Sequence, residues 1–375
     1  MLKKRSAGTL ILRGHVLTLL LLLLLGPGPG VSAGEQNAGA PQEPKSAPAP
    51  KLTPAAKAAA DPTAGWKVNV PLGLSEDLQA PADNSVTREK VELGRRLYYD
   101  PRLSVAGDVS CATCHSPDHG FTDSKPVSSG HKGQKGGRSA PTVINATYDY
   151  FQFWDGRAKT LEEQALGPIQ NPIEMGNTLT GMVANLKALK GYAPAFQAAF
   201  GNPEITAERV AKAIASFERT VISGNSRWDR FMAGDESALN EQEKRGWALM
   251  QGKGKCTLCH AGQTFSDSDF HNLGVGMSAK EPDLGRYVVT KDEKDKGAFK
   301  TPRLREVTKS APYMHDGSQK TLEEVLEFYN KGGEKNPYLD QKITPLNLTK
   351  QEMQDIIAFL HALEGEIPNP VGPAK

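Results

Sequence analysis

The sequence lacks an excess of charge of either sign. Lys and Arg together number 45 and Asp and Glu number 43, which leaves a formal net charge of +2 at pH 7. A protein that attracts nucleic acid or an acidic substrate through its overall field carries a stronger imbalance. We therefore predict that no nucleic acid is among its partners.

The chain also lacks an apolar run long enough to span a membrane. Its most apolar run, residues 16–25, is about half of the ~20 residues that a spanning helix needs. Four basic residues precede this run and Val31-Ser32-Ala33 follows it, which is the pattern of a secretory signal peptide. We predict that residues 1–33 are removed, which changes the net charge to about −2. The mature protein is then periplasmic and has no membrane span.

Residues 34–65 contain a single large apolar side chain, Leu52, and are rich in Ala, Pro and Gly. Such a segment buries too little surface to offset its ordering entropy, so it predicts a disordered linker. The remaining stretch to residue 368 contains roughly 300 residues, enough for two domains with their own cores.

An internal repeat divides this stretch in two. Residues 141–163 align without a gap with residues 302–324, at an offset of 161 residues. Both copies contain an Asp-Gly and the string Lys-Thr-Leu-Glu-Glu. Because self-similarity of this kind marks duplicated units, we predict two related domains, residues 66–225 and 226–368.

The strand patterns are short and scattered, whereas the helix patterns are clear. The expected fold class is therefore all-α, with two related domains and long loops. The helical signals are Thr87 as the cap of a run through Tyr99, Thr206 before the face Val210, Ile214, Phe217 and Val221, a capping box at Asn240 and Glu243, and a last helix over 350–363.

No cysteine lies outside two Cys-x-x-Cys-His motifs, at 111–115 and 256–260. Two thiols at this spacing can add to the two vinyl groups of one haem, and the adjacent histidine then ligates the iron. The motifs predict two covalently bound haem c groups. The attachment residues are Cys111, Cys114, Cys256 and Cys259, and the proximal ligands are His115 and His260.

Three other uses of the cysteines compete with this interpretation. A zinc ribbon has ~15–20 residues between its cysteine pairs, but here 141 residues separate Cys114 from Cys256. A thioredoxin-like site would explain one motif beside a βαβ unit, not two in a helical chain. Structural disulfides are the third alternative, since the protein is exported.

Candidates for the sixth iron ligands follow from local sequence. His131 lies in a glycine-rich stretch, 128–137, whose flexibility would let the side chain bind iron and leave it. In the second half, the helix after Lys320 places Tyr329 on one face with Leu322, Val325 and Leu326. Tyr329 is equally consistent with an iron ligand and with a core residue, and Met314 and Met277 are the thioether alternatives.

From Trp66 to Leu363 the chain resembles the bacterial di-haem cytochrome c peroxidases and the related MauG-type enzymes. The resemblance depends on several specific stretches. These are Leu93–Ser104, Ala140–Thr142, Phe153–Arg157, Ile173–Met175, Gly297–Pro302 and Ala311–Gly317.

The resemblance implies a role for individual residues. His115 would hold an N-terminal, peroxide-reducing haem, and His260 a C-terminal, electron-donating haem. The other matching positions are His131 as a detachable distal ligand, Glu174 as the acid–base residue, Gln164 beside it in the pocket, Trp154 between the haems, and Ser310 and Pro312 as carbonyl ligands of a calcium ion.

The sequence departs from the pattern of the peroxidases at two positions. Tyr329 stands where the peroxidases have a Met ligand, and in this it is similar to MauG. Ser139 replaces an Asn at the calcium site, which weakens the case for calcium. His131, however, matches the peroxidases and is lacking in MauG.

The first hypothesis is therefore a peroxidase that reduces hydrogen peroxide to water with electrons from a small cytochrome c or cupredoxin. Glu174 would act as acid and base because Ile173 and Met175 favour its burial, which raises a carboxyl pKa. A MauG-like enzyme that oxidises residues of a partner protein is the second hypothesis, and a non-catalytic di-haem electron carrier is the third. A homodimer is included among the expected assemblies.

Overall fold

The computed structural model describes residues 66–374, and the predicted signal peptide and linker lie outside them. Helices dominate this range, and none of those described is long and apolar enough to cross a membrane. In chain order they are α1 (Arg88–Tyr98), α2 (Cys111–Cys114), α3 (Leu161–Gln170), α4 (Leu179–Lys187), α5 (Tyr192–Phe200), α6 (Ala207–Glu218), α7 (Arg227–Met232), α8 (Glu241–Gln251), α9 (Tyr287–Thr290), α10 (Leu322–Asn330) and α11 (Lys350–His361).

Strands make up very little of residues 66–374. β1 (Phe270–His271) pairs antiparallel with β2 (Phe299–Lys300), and Phe270 lies opposite Lys300. The expectation of a helix-rich fold is confirmed, with the addition of this two-stranded sheet.

Side-chain caps set the starts of the main helices. Thr87 accepts a hydrogen bond from the Lys90 N–H at the start of α1. At the start of α8, Asn240 and Glu243 form the predicted reciprocal capping box, with both hydrogen bonds at 2.9 Å. The prediction was wrong at the end of α6, because this helix stops at Glu218, before Val221. Val221 is nevertheless fully buried.

Two hydrophobic clusters form the main cores of the described chain. In the first, α1 packs against α6, and the rings of Tyr98 and Phe217 meet edge to face at 5.1 Å between centroids. In the second, α8 packs against α11, and the Trp247 ring lies 5.2 Å from that of Phe359. Burial of aromatic area of this kind is the main source of stability in a helical core.

Each of these helix pairs crosses at a glycine. A Cβ built on Gly94 of α1 would lie 1.8 Å from the carbonyl oxygen of Ala213 in α6. A Cβ on Gly246 of α8 would lie 1.9 Å from the carbonyl oxygen of Asp355 in α11. The backbones of the paired helices therefore touch, and no larger residue fits at either crossing.

The sequence repeat has the same local structure in both copies. Thr160 caps α3 by accepting from the Glu163 N–H at 3.1 Å, and Thr321 caps α10 by accepting from the Glu324 N–H at 3.2 Å. Just upstream, one isolated antiparallel bridge joins Gln152 to Ala158, and its counterpart joins Tyr313 to Gln319, again at the offset of 161 residues.

Replacement of the crossing glycines tests this packing. Gly94→Ala and Gly246→Ala raise helix propensity, which alone would stabilise by about 1 kcal/mol. We expect a lower stability instead, by about 1–3 kcal/mol, because the added methyl forces the helices apart. Urea unfolding followed by circular dichroism measures the change.

Gly137→Ala is the matched control, since nothing lies within 4 Å of a Cβ at that position. Variants at Gly94 and Gly246 as stable as this control would contradict the backbone contact.

Candidate functional site

The first Cys-x-x-Cys-His motif begins a short helix. Ser110 caps α2 through a reciprocal box with Thr113. The His115 N–H donates to the carbonyl of Cys111 at 2.9 Å, which closes the turn. The His115 ring places Nδ1 at 3.3 Å from the carbonyl oxygen of Phe121. The Tyr98 hydroxyl donates to the His115 carbonyl at 2.8 Å and ties the motif to α1.

The second motif has the same arrangement. Cys256 begins a 3₁₀ turn, and the His260 N–H donates to the Cys256 carbonyl at 2.8 Å. The Nδ1 of His260 lies 2.9 Å from the carbonyl oxygen of Phe265. In both motifs a carbonyl therefore fixes the proton on Nδ1 and leaves Nε2 as the free lone pair, which is how ligand histidines are usually oriented.

Protonation states in the motifs fit haem attachment. Burial lowers the pKa of both His115 and His260, so both rings are neutral and able to ligate iron. The four cysteines are unpaired, which disagrees with structural disulfides. Burial raises the pKa of Cys256 to about 12, whereas a thioredoxin-like site lowers the pKa of its reactive thiol.

A cavity of about 270 Å³ adjoins the second motif. Cys256, Cys259 and His260 all line it. The predicted face of α10 also lines it, with Leu322, Val325, Leu326 and Tyr329. A mainly apolar space beside two free thiols and a neutral imidazole is what a covalently bound haem requires.

Tyr329 is the ionisable group of α10 that faces this cavity. Burial, and to a smaller extent Cys256 and Cys259, raise the pKa of its phenol, so it is neutral in the protein alone. Met314 lines the same cavity. Met277 is not among the described residues that line it, and its sulfur packs at Gly297 instead. Tyr329 and Met314 therefore line the cavity directly, whereas Met277 lies behind Gly297, which itself lines it.

His131 is buried and its ring is held by a residue that sequence reasoning missed. The Nδ1 atom lies 2.9 Å from Oδ2 of Asp108, which lowers the pKa of that carboxyl. Nε2 is then the ring atom available to iron, as in the two proximal histidines. The Asp and His are 23 residues apart in sequence, so only the fold brings them together.

The His131 loop rests directly on the Glu174 turn. The His131 N–H donates to the Glu174 carbonyl at 2.6 Å. A Cβ on Gly130 would lie 2.6 Å from the Glu174 Cα and 2.1 Å from the Ile173 carbonyl oxygen. Glycine is therefore required at 130, for close approach.

Glu174 has the environment of an acid–base residue. Burial raises the pKa of its carboxyl above the usual range, and the opposing effects of Arg157 and Asn171 are smaller. The Asn171 amide donates to Oε1 at 2.9 Å and orients the carboxyl. The sequence argument for this burial was half wrong, because Ile173 is 36% exposed while Met175 is 2% exposed.

Trp154 lies on the wall of the cavity and is held from both sides. Its indole Nε1 donates to the Ser139 carbonyl at 3.0 Å, and its own carbonyl accepts from the Lys300 N–H at 2.8 Å. Gln164 lies half-buried on α3.

The positions expected to hold calcium also line the cavity. They offer only neutral oxygens, from Ser139, Ser310 and Pro312, and the Ser139 hydroxyl already donates to the Met314 carbonyl at 3.0 Å. Calcium sites usually combine six to eight oxygens that include carboxylates. These three residues are a poor fit to the ion.

A buried charged group at the cavity wall was not predicted. Asp149 accepts from Lys300 Nζ at 2.5 Å and from Arg303. Burial alone would raise the Asp149 pKa, but the two cations outweigh it and hold that pKa below its usual range. Lys300 belongs to the motif Gly297–Pro302, which was the available signal, but its partner lies 151 residues earlier.

Cys259, Asp267 and His271 place their ligand atoms within 4.8 Å of one another. Asp267 and Asp340 flank the two ring nitrogens of His271, at 3.1 Å and 2.5 Å. A sulfur in a thioether bond to haem is no longer a thiolate, so we assign no separate metal to this cluster.

Comparisons with known proteins agree with this site. A family model for di-haem cytochrome c peroxidase matches residues 88–237. The methylamine utilization protein MauG of Methylorubrum extorquens is 42% identical over 292 residues, which cover 78% of this chain and 82% of that protein. The cytochrome c551 peroxidase of Nitrosomonas europaea is 40% identical over 285 residues, 75% of this chain and 81% of that protein.

Among solved structures, a MauG-like protein associated with microbial copper homeostasis is similar, with a TM-score of 0.73 and 34% sequence identity. The match covers 82% of this chain and 97% of that one.

Proposed function

Because this chain belongs to the di-haem cytochrome c peroxidase family, we propose that it reduces hydrogen peroxide to two molecules of water with two protons and two electrons. The observation that carries the proposal is Glu174, a half-buried carboxyl of raised pKa that lies directly under the His131 loop. A peroxidase needs such a proton carrier beside an iron whose sixth coordination position can become vacant.

The two motifs would hold one haem c each. Cys111 and Cys114 would form thioethers with the first haem, and Cys256 and Cys259 with the second. His115 and His260 would be the proximal ligands. When bound, the haem iron supplies the redox centre at which the O–O bond of peroxide is broken.

The residues around the first haem supply proton transfer and access. His131 would be the second ligand of this iron until its loop moves, and Asp108 orients the His131 ring. Glu174 takes a proton from one peroxide oxygen and gives it to the other, which then leaves as water. A raised pKa makes this carboxylate a stronger base than an exposed glutamate. Gln164 completes the pocket, as the family resemblance implies.

Trp154 would carry electrons between the second haem and the first. The hydrogen bonds of its indole and of its carbonyl fix the ring at the wall of the cavity that adjoins the second motif. A fixed aromatic ring at this position shortens the distance that an electron must cross.

The domain architecture is part of the proposal. The matching caps and bridges support an internal duplication with halves at 66–225 and 226–368. Each half would be an all-α, cytochrome c-like domain around its own haem.

Calcium at Ser139, Ser310 and Pro312 would bind weakly through neutral oxygens and would be removed by a chelator without loss of haem. Export to the periplasm, a small cytochrome c or cupredoxin as electron donor, and a homodimer stay predictions.

Tyr329 supports a second candidate function, a MauG-like oxidation of residues in a partner protein. An anionic phenolate ligand lowers the reduction potential of a haem, which suits the storage of oxidising equivalents. The third hypothesis, a non-catalytic electron carrier, requires that neither iron can open.

The His131–Asp108 pair gives the first functional prediction. We expect His131→Ala to make the first haem high-spin in the oxidised protein. Asp108→Asn removes the charged acceptor and is expected to weaken ligation by about 10–100-fold, which gives a mixture of spin states. Electron paramagnetic resonance measures both.

Asp118→Asn, an exposed aspartate in the same half, is the control and should leave the spectrum unchanged. An unaltered spectrum in His131→Ala would show that His131 is not a ligand.

Glu174→Gln should retain both haems and lose about 10²–10⁴-fold in peroxide turnover. The wild-type activity should fall as the pH drops through the raised pKa of Glu174, because the protonated carboxyl cannot take a proton. This acidic limb should be absent in the variant. Stopped-flow rates over a pH series, with haem content checked by pyridine haemochrome, test both statements. A loss below threefold would assign the residue a structural role.

Tyr329→Phe should raise the reduction potential of the second haem while His260 stays bound, because a phenolate stabilises the oxidised iron. Potentiometric titration measures the shift, and the oxidised wild type should lack the near-infrared band of Met ligation. The appearance of that band would point to Met314 or Met277 as the ligand and favour the plain peroxidase.

A further inference from the structure

Glu218 is a buried carboxyl that the proposed mechanism does not use. It is the last residue of α6 and is 5% exposed. Its Oε2 atom is enclosed and has no hydrogen-bond partner among residues 66–374. An unpaired buried carboxylate is costly, so such a group is kept only where it does something or is neutral.

The nearest cation does not neutralise Glu218. Arg219 directs both terminal nitrogens to Glu162 on α3, at 2.8 Å and 3.0 Å. The other titratable groups that face Glu218 are Tyr98 of α1 and Cys111 of α2. Burial raises the pKa of each, and the charge of Glu218 adds to this effect. Glu218 therefore lies close to Cys111, an attachment sulfur of the first haem. The neighbouring Arg219 is already paired with Glu162.

The second half shows what this position is for. The helix crossings align Ala213 with Asp355, and Phe217 with Phe359. Glu218 follows Ala213 by five residues, and Leu360 follows Asp355 by five residues. Leu360 lines the cavity of the second haem together with Cys256. Glu218 thus occupies the position at the first haem that an apolar residue fills at the second.

Three features disfavour the charged form of Glu218. It is buried, it is at the negative end of the α6 dipole, and Glu162 is close by. Burial, which is the largest effect, and the charge of Glu162 outweigh Arg219 and raise the carboxyl pKa of Glu218 to about 8. A positive charge gained or lost at the iron would shift this balance, because charges in a low-dielectric interior interact strongly.

We propose that Glu218 is the proton-binding partner of the first haem. When the electron donor passes one electron to that iron, one proton from the solvent binds to the Glu218 carboxylate, and the proton leaves when the iron is oxidised again. The electron goes to the metal, and the proton moves from a hydronium ion of the solvent to the carboxylate, so that one O–H bond of hydronium breaks and one O–H bond of the carboxyl forms. The proposal rests on a haem at Cys111 but not on peroxide turnover, because it concerns an equilibrium potential.

Spectroelectrochemical titration of the holoprotein from pH 6 to 10 tests the proposal. In the wild type, the potential of the first haem should fall with pH. The slope should approach about 59 mV per unit, the one-electron equivalent of a tenfold change in proton activity. In Glu218→Gln the slope should disappear, with potentials that match the wild type at low pH and exceed it at high pH, where only the wild type carries the extra negative charge.

Two controls are built into the chain. The second haem has Leu360 at the matching position, so Glu218→Gln should not change its pH dependence. Glu208→Gln alters an exposed glutamate on the same helix and should leave both haems unaffected. A slope that persists in Glu218→Gln would overturn the proposal and assign the proton to a haem propionate.

The wild type alone provides an independent measurement if Glu218→Gln fails to retain the first haem. The reduced-minus-oxidised infrared spectrum should show a gain of one protonated carboxyl. Absence of that band would overturn the proposal whatever the variant does. Loss of peroxide turnover with the slope intact would instead count against the proposed function and leave Glu218 as the proton site.

Discussion

Backbone contact at two glycines is the constraint on which the cores and the haem motifs depend. Gly94 and Gly246 let α1 touch α6 and α8 touch α11. Because the first crossing is so close, Tyr98 at the end of α1 reaches the His115 carbonyl. At the second, α11 presents Ile356 and Leu360 to the cavity. The walls of the pockets and the attachment motifs are therefore positioned by the same two contacts.

Local features of this fold could be predicted from the sequence, because their causes lie within a few residues. The cap at Thr87, the box at Asn240 and the cavity-facing side of α10 are of this kind. The end of α6 was missed, since apolar spacing continues to Val221 after the helix has stopped. A buried residue need not belong to the helix whose periodicity it continues.

Features that join distant parts of the chain could not be predicted. Asp108 meets His131, and Asp149 meets Lys300, only after the chain has folded. Arg303 also donates to the carbonyl of Ile144 at 3.0 Å, so this cation ties backbone of the first half to the second. Buried charges of this type add little net stability, but their hydrogen bonds are satisfied in only one arrangement. These hydrogen bonds explain how the two halves keep one fixed position relative to each other beside the cavity.

The contact of Gly130 with the Glu174 backbone has a consequence for the timing of the proposed reaction. The backbones of the His131 loop and of the Glu174 turn are in contact and share a hydrogen bond. The His131 loop therefore cannot move away without changing the surroundings of Glu174. Dissociation of His131 from the iron and repositioning of the Glu174 carboxyl would then be one conformational change. Peroxide would not reach a five-coordinate iron while the Glu174 carboxyl is out of position. This coupling between the His131 loop and the Glu174 turn would protect the haem from oxidative damage before electrons arrive from the donor.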